Sequence, residues 1–299
     1  MATRKALNSR NTEKLMQGIM LMCSLLSVVT TIGIILVLLV DSWKFFGEVS
    51  IIEFVTGTVW TPLFENKQFG ILPLLSGTLL TTTIACVLAV PVGITIAVYL
   101  NEYASPQLTA VVKPILEVLA AVPTVVYGFF ALQFVTPFLQ QFIPGLAGFN
   151  ALSPGLVMGL MIIPYITSLS EDALRAVPNS LREASYGMGA NRFQTAFKVL
   201  VPAASSGIIV SIILAISRAL GETMIVAIAA GQEPTLTFNP LHAVETITTY
   251  IVQVSMGDVP QDSVEYRSIF AAGVTLFVFT FLLNNLSFWI RKKYQNRYE

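Results

Sequence analysis

Arg218 and Glu222 stand four residues apart in the run Ser217 to Thr223 (SRALGET), inside an otherwise apolar stretch from about Ala203 to Ala230. On a helix that spacing puts both on one face and within reach of each other. An arginine near the middle of a bilayer costs ~2.5–3.5 kcal/mol on insertion scales, so it needs a partner or a purpose. Two readings are open. The pair can be an internal bridge that only holds helices together, or it can line a path. A guanidinium presents a planar fork of donors suited to a tetrahedral oxyanion, and Ser217 and Thr223 are placed beside it as further path residues.

A second group of residues has a mechanical rather than a chemical character. The passage Glu171 to Pro202 carries Glu171, Asp172, Arg175, Arg182, Glu183, Arg192 and Lys198, whereas Val118 to Ser170 has no charged residue. A segment that polar is excluded from hydrocarbon. Within it lie Glu183-Ala184-Ser185, Gly189 six residues after the glutamate, and an ending Val199-Leu200-Val201-Pro202. A short helix projecting from a membrane domain can fit a groove on a partner and transmit its motion to the spans on either side. Arg182 and Glu183 would anchor such a contact by charge, and Gly189 would permit a sharp turn after the helix. The blander reading is a polar helix of the kind any loop between membrane spans can carry.

Several other chemistries are excluded. There is no Gly-x-x-x-x-Gly-Lys-Ser/Thr phosphate loop and no Gly-Lys dipeptide, so the chain has no Walker motif for ATP. Gly187-Met188-Gly189 is no dinucleotide fingerprint, because Arg192 occupies the third glycine position and no strand precedes it. One histidine, His242, supports neither a His-rich zinc site nor a Ser-His-Asp triad. Cys23 and Cys86 both fall in apolar runs and form no disulfide framework. The expectation is a chain that is not itself an enzyme and carries no cofactor or metal.

The elements that must position these residues follow from composition. With 55% hydrophobic and 11% charged residues and a mean hydropathy of +0.74, a chain of 299 residues is an all-α polytopic membrane protein. A formal net charge of zero argues against a nucleic-acid partner. Residues 1–14 are polar and basic, and the 26 residues Leu15 to Val40 are uncharged, too long for a signal peptide and read as a retained membrane helix. Residues 41–73 mix Trp43, Phe45, Phe46, Phe54, Trp60 and Phe64 with charges, which suits a headgroup zone. A core over 74–290 then holds five further spans: about 74–100 with a kink near Pro91, 119–137 after a polar break at Glu102 to Glu117, 153–170, 203–230 and 268–290. Gly155 and Gly159 in the fourth span form a GxxxG pair that lets a neighbouring helix approach.

Charge distribution orients this six-span array. With the N-terminus in the cytoplasm, the inside segments hold Arg4, Lys5, Arg10, Lys14, Lys113, Arg175, Arg182, Arg192, Lys198, Arg291, Lys292, Lys293 and Arg297. The outside segments hold only Lys44, Lys67 and Arg267. Positive residues favour the inside, so the passage 171–202 and the tail 291–299 are cytoplasmic. The loop 231–267 is outside and acidic. Within it Ala243, Ile247, Tyr250, Ile251 and Val254 recur at helical spacing, which predicts a short helix packed on the bundle or, alternatively, a docking surface for an extracytoplasmic partner.

The Glu183, Gly189 and Pro202 spacing resembles the cytoplasmic EAA signature of ABC importer permeases, with Ser185 in place of the second alanine and Val199 and Val201 in place of the usual Ile and Leu. Four further blocks narrow the likeness: Phe69 to Pro73 (FGILP), Gly77 to Thr81 (GTLLT), Leu116 to Gly128 (LEVLAAVPTVVYG) and Arg218 to Met224 (RALGETM). Together they resemble the PstC family of phosphate ABC transporter permeases over nearly the whole chain. The resemblance implies a type I importer (MetI-like) core with an extra N-terminal helix. It implies a complex with a PstA-like second permease, two copies of a PstB-like ATPase that hold ATP and magnesium, and a PstS-like phosphate-binding protein, all at a bacterial inner membrane. Ser217, Arg218, Glu222 and Thr223 are then expected on the phosphate path, and Arg182, Glu183, Ala184, Ser185, Gly189 and Pro202 at the ATPase contact. Other assignments stay open: a permease for sulfate or molybdate, a secondary transporter using Glu222 as a coupling carboxylate, or a regulatory membrane subunit.

Overall fold

The computed structural model describes residues 2–295, with side chains described for 13–290 and Lys292. Of the terminal cations used above for orientation, the side chains of Arg4, Lys5, Arg10, Arg291 and Lys293 and all of Arg297 lie outside the described residues. In chain order the helices are α1 (Ala2–Phe46), α2 (Ile51–Thr56), α3 (Leu72–Glu102), α4 (Pro106–Ala121), α5 (Thr124–Phe130), α6 (Thr136–Gln140), α7 (Leu152–Arg175), α8 (Asn179–Gly187), α9 (Arg192–Thr195), α10 (Val201–Ala203), α11 (Ser205–Leu220), α12 (Met224–Ala229), α13 (Ile247–Met256) and α14 (Val264–Gln295). Among the described residues β pairing is limited to two isolated bridges, Trp60 with Phe69 and Gly231 with Val244.

Four helical stretches are long and apolar enough to cross a membrane unbroken: 13–46, 72–102, 152–175 and 264–290. Two bent pairs, Pro106–Ala121 with Thr124–Gln140 at 88° and Arg192–Ala203 with Ser205–Leu220 at 71°, are long and apolar enough only when taken together, as a broken span or a re-entrant loop. The described helices therefore make four spans, or up to six if each bent pair is one span. The break at Glu102 to Glu117 expected from its polarity is therefore mostly helix, since only Tyr103 to Ser105 separate α3 from α4. The real interruption comes at Val122-Pro123, where Val122 adopts an extended backbone (φ −61°, ψ 130°) because a residue before proline is driven out of the α region.

Two π-helical turns, Ala131–Val135 and Ala196–Leu200, each lie just before a proline, Pro137 and Pro202. Proline has no N–H to give the carbonyl four residues back, so the ladder shifts register there. In the first turn Thr136 Oγ1 donates to the Ala131 carbonyl at 3.0 Å. Pro91, by contrast, is carried inside a continuous α3.

The core is built on α3 and α7. A side chain at Gly155 would meet Ile84 Cβ at 2.8 Å and one at Gly159 the Ala85 carbonyl at 3.0 Å, so the GxxxG pair of α7 is where α3 approaches. Thr167 Oγ1 donates to the Gly93 carbonyl at 3.2 Å across the same interface. A separate aromatic cluster closes the Leu72 end of the bundle. Phe45, Phe54, Trp60 and Tyr250 are buried there, and Trp60 meets Tyr250 edge-on at 4.9 Å. The aromatics of 41–73 thus divide: Trp43 and Phe64 are exposed, while Phe45, Phe54 and Trp60 are core. Composition alone had assigned all of them to headgroups, because it cannot separate a ring that faces lipid from one that faces other rings.

Candidate functional site

Arg218 lies in the last turn of α11, and the helix stops two residues later at Leu220. The continuous span expected over 203–230 does not form. Glu222 lies in the gap between α11 and α12, where its Oε1 accepts the N–H of Met224 at 3.2 Å and of Ile225 at 3.4 Å. A carboxylate in apolar surroundings needs donors, and breaking the helix supplies them from the first-turn amides of α12, as a capping residue does. The carbonyl of Glu222 accepts the Thr248 hydroxyl at 2.8 Å.

The break leaves the pair in reach but unequal. Arg218 Nη1 stands 3.8 Å from Glu222 Oε2, with the arginine side chain 41% exposed and the glutamate 3% exposed. The arginine carbon Cζ also lies 6.0 Å from the ring centre of Tyr165 on α7, a cation–π contact. At 3.8 Å the ion pair is longer than a hydrogen bond. Glu222 is anchored mainly by backbone amides, and the Arg218 side chain stays partly exposed. Ser217 donates to the Ile213 carbonyl at 3.0 Å and to Asn284 Oδ1 on α14 at 3.4 Å. Thr223 donates to the Gly221 carbonyl at 3.4 Å.

Behind Glu222 is a hydroxyl network that the primary structure left unassigned. Thr246 caps α13, its Oγ1 accepting the Thr249 N–H at 3.3 Å and lying 3.1 Å from Thr248 Oγ1. Thr78 on α3 accepts the Ile247 N–H at 3.0 Å. Threonines one or two residues ahead of the apolar 247–254 pattern are a recognisable helix start, so Thr246 could have been found. Its proximity to Glu222 could not, because it depends on the chain from 231 to 246 folding back. The adjoining Glu245 is 1% exposed and its Oε1 has no hydrogen-bond partner. Burial pushes this carboxyl up to about 8.

The second site is the α8–α9 corner. Met188 ends α8, Gly189 turns the chain with φ +83°, and Asn191 and Gln194 form a reciprocal cap on α9. Left-handed backbone of this kind favours glycine. Glu183 and Ala184 are exposed. Ser185 instead points inward, 2.9 Å from Thr195 Oγ1; the serine that departs from the alanine pattern has a buried hydroxyl as its partner. Arg182 also turns inward, with Nη2 2.8 Å from Glu102 Oε1 at the end of α3. Within the chain its guanidinium is engaged by that carboxylate, and the side chain stays partly exposed. Met188, 87% exposed, and Phe193, 63% exposed, supply the outward surface, and the polar composition of the passage had hidden both. Pro202 follows the second π turn at the bend into α11.

The model of the family described as "Binding-protein-dependent transport system inner membrane component" matches residues 89–297. The chain belongs to this family. Its matched region takes in α4 to α13, and so both sites. Among curated relatives, the probable ABC transporter permease protein YqgH of Bacillus subtilis is 36% identical over 262 residues, covering 87% of this chain and 84% of the relative. The phosphate transport system permease protein PstC of Haemophilus influenzae is 32% identical over 311 residues, covering 95% of both. A chain of the MetNI methionine ABC transporter in an inward-facing conformation has the same fold, with a TM-score of 0.55 at 20% identity over 75% of this chain and 94% of that one.

Proposed function

We propose that this chain is the permease subunit of an ATP-driven, binding-protein-dependent importer that carries inorganic phosphate across the bacterial inner membrane. The observation that carries this reading is the break at Gly221 to Thr223, which holds a partly exposed Arg218 beside a buried, amide-anchored Glu222. Arg218 offers the planar fork for two oxygens of a tetrahedral anion. Glu222 offers an acceptor for the hydroxyl of protonated phosphate, whereas fully ionised sulfate has no proton to donate and is repelled. Likeness to the Haemophilus PstC over nearly the whole chain supports phosphate as the cargo.

In this reading a PstA-like permease completes the path, and a PstS-like protein delivers phosphate at the outer face. Two PstB-like ATPases hold the ATP and magnesium, and one of them engages the α8–α9 corner through Glu183, Ala184, Met188 and Phe193. The skew of basic residues supports cytoplasmic termini and a cytoplasmic α8. Reconstitution of the assembled complex in vesicles tests it. ATP-dependent uptake of labelled phosphate, unaffected by excess sulfate, is expected. Uptake abolished by sulfate would point to a broader oxyanion permease, and uptake driven by an ion gradient without ATP would overturn the importer reading.

A further inference from the structure

Glu102 is an unusual last residue for a helix. It closes the 31-residue α3 at the end where the macrodipole is negative and a carboxylate is disfavoured, and its side chain is only 3% exposed. What holds it there is Arg182 of α8, 2.8 Å away, with Asn101 Nδ2 donating to the same oxygen at 2.9 Å. At its other end α3 carries Thr78, which takes the first amide of α13; the next residue of α13, Thr248, holds the Glu222 carbonyl. Gly77, the neighbour of Thr78, leaves room for the carbonyl of Glu245, which a side chain there would meet at 2.2 Å. One rigid helix of about 46 Å at ~1.5 Å per residue is therefore pinned to α8 at one end and to the Glu222 break at the other.

We propose that Arg182 is a positioning residue that ties α8 to α3, so that movement of α8 reaches the Arg218–Glu222 site along α3 as well as through the flanking α7 and α11. The inference rests on the importer reading, in which an ATPase drives α8. The chain of contacts is short and physical: Arg182 to Glu102, α3 to Thr78, Thr78 to the start of α13, Thr248 to Glu222. A coupling of this kind acts on the ratio between sites rather than on either site alone. Arg182 accordingly affects neither ATP binding nor anion binding directly.

The test is the number of ATP molecules hydrolysed per anion imported by the assembled complex in vesicles. Arg182→Gln and Glu102→Gln are each expected to raise that ratio about tenfold, with the subunits still co-purifying. The exchanged pair, Arg182→Glu with Glu102→Arg, is expected to return it to within about twofold of the original. Arg182→Lys, which keeps the charge as a single point contact, is expected to fall between. Single variants with an unchanged ratio would overturn the tie, as would an exchanged pair no better coupled than the singles. Failure of the phosphate assignment is separately visible: the unaltered complex would import another anion, and the same ratio would be read with that anion.

Discussion

At the scale of the residue, Glu222 has two duties that can be separated by substitution. Its Oε1 caps α12, a role an amide oxygen can take over, and its negative charge faces Arg218, a role an amide cannot. Glu222→Gln is therefore expected to leave the fold intact while reducing phosphate uptake about tenfold or more, because a charged hydrogen bond of ~1.5–3 kcal/mol is weakened. It should also relax the exclusion of sulfate, and competition by sulfate in the uptake assay checks both effects. Unchanged uptake and unchanged exclusion would remove Glu222 from the path. Arg218→Lys keeps the charge and loses the fork. Uptake should fall if the anion is held by two oxygens and persist if Arg218 serves only as counter-ion to Glu222.

At the scale of the element, the α8–α9 corner contains a buried hydroxyl pair beside its tight turn and the reciprocal cap of α9. Thr195→Val strands the Ser185 hydroxyl and is expected to destabilise the corner by ~1–3 kcal/mol, whereas Ser185→Ala with Thr195→Val removes both partners and should be nearly neutral. Hydrogen exchange at 179–200 in the two variants distinguishes them. The outward surface behaves differently. Met188→Asp and Glu183→Lys touch no buried contact within this chain, so they are expected to weaken association with the ATPase while leaving the melting temperature of the isolated permease unchanged. Co-purification measured against that melting temperature is the check. The same element shows why its exposed apolar residues are hard to see in a passage rich in charge: Met188 and Phe193 stand singly in the chain, on either side of the turn at Gly189.

At the scale of the whole molecule, the fold-back of 231–246 buries Glu245 beside α3. Its folded carboxyl titrates at about 8 against an ordinary 4.5, so ionisation favours the unfolded chain. That contribution to stability is complete below about 4.5, declines as pH rises through the interval and is gone above about 8. The melting temperature of the purified permease should therefore fall across that range, and Glu245→Gln should flatten the fall. A slope that survives the substitution would locate the titration elsewhere.

The all-helical membrane fold, the apolar stretches that form its long helices and the turn at Gly189 were legible in the primary structure, because hydropathy and local turn chemistry act on neighbouring residues. So was the packed helix of the 231–267 loop, whose Ile247, Tyr250 and Val254 are all buried. The Arg218–Glu222 pair was legible as a pair but not as a helix break. Apolar residues run on past Gly221, and nothing local reveals that Glu222 takes its donors from the next helix. Which charges stay exposed was decided only by tertiary structure. Arg182 and Glu183 are adjacent and equally polar, yet one is claimed by Glu102, eighty residues earlier in the chain, and the other is left exposed. A buried carboxylate takes whichever cation the fold brings to it, and that choice is made by packing between distant segments.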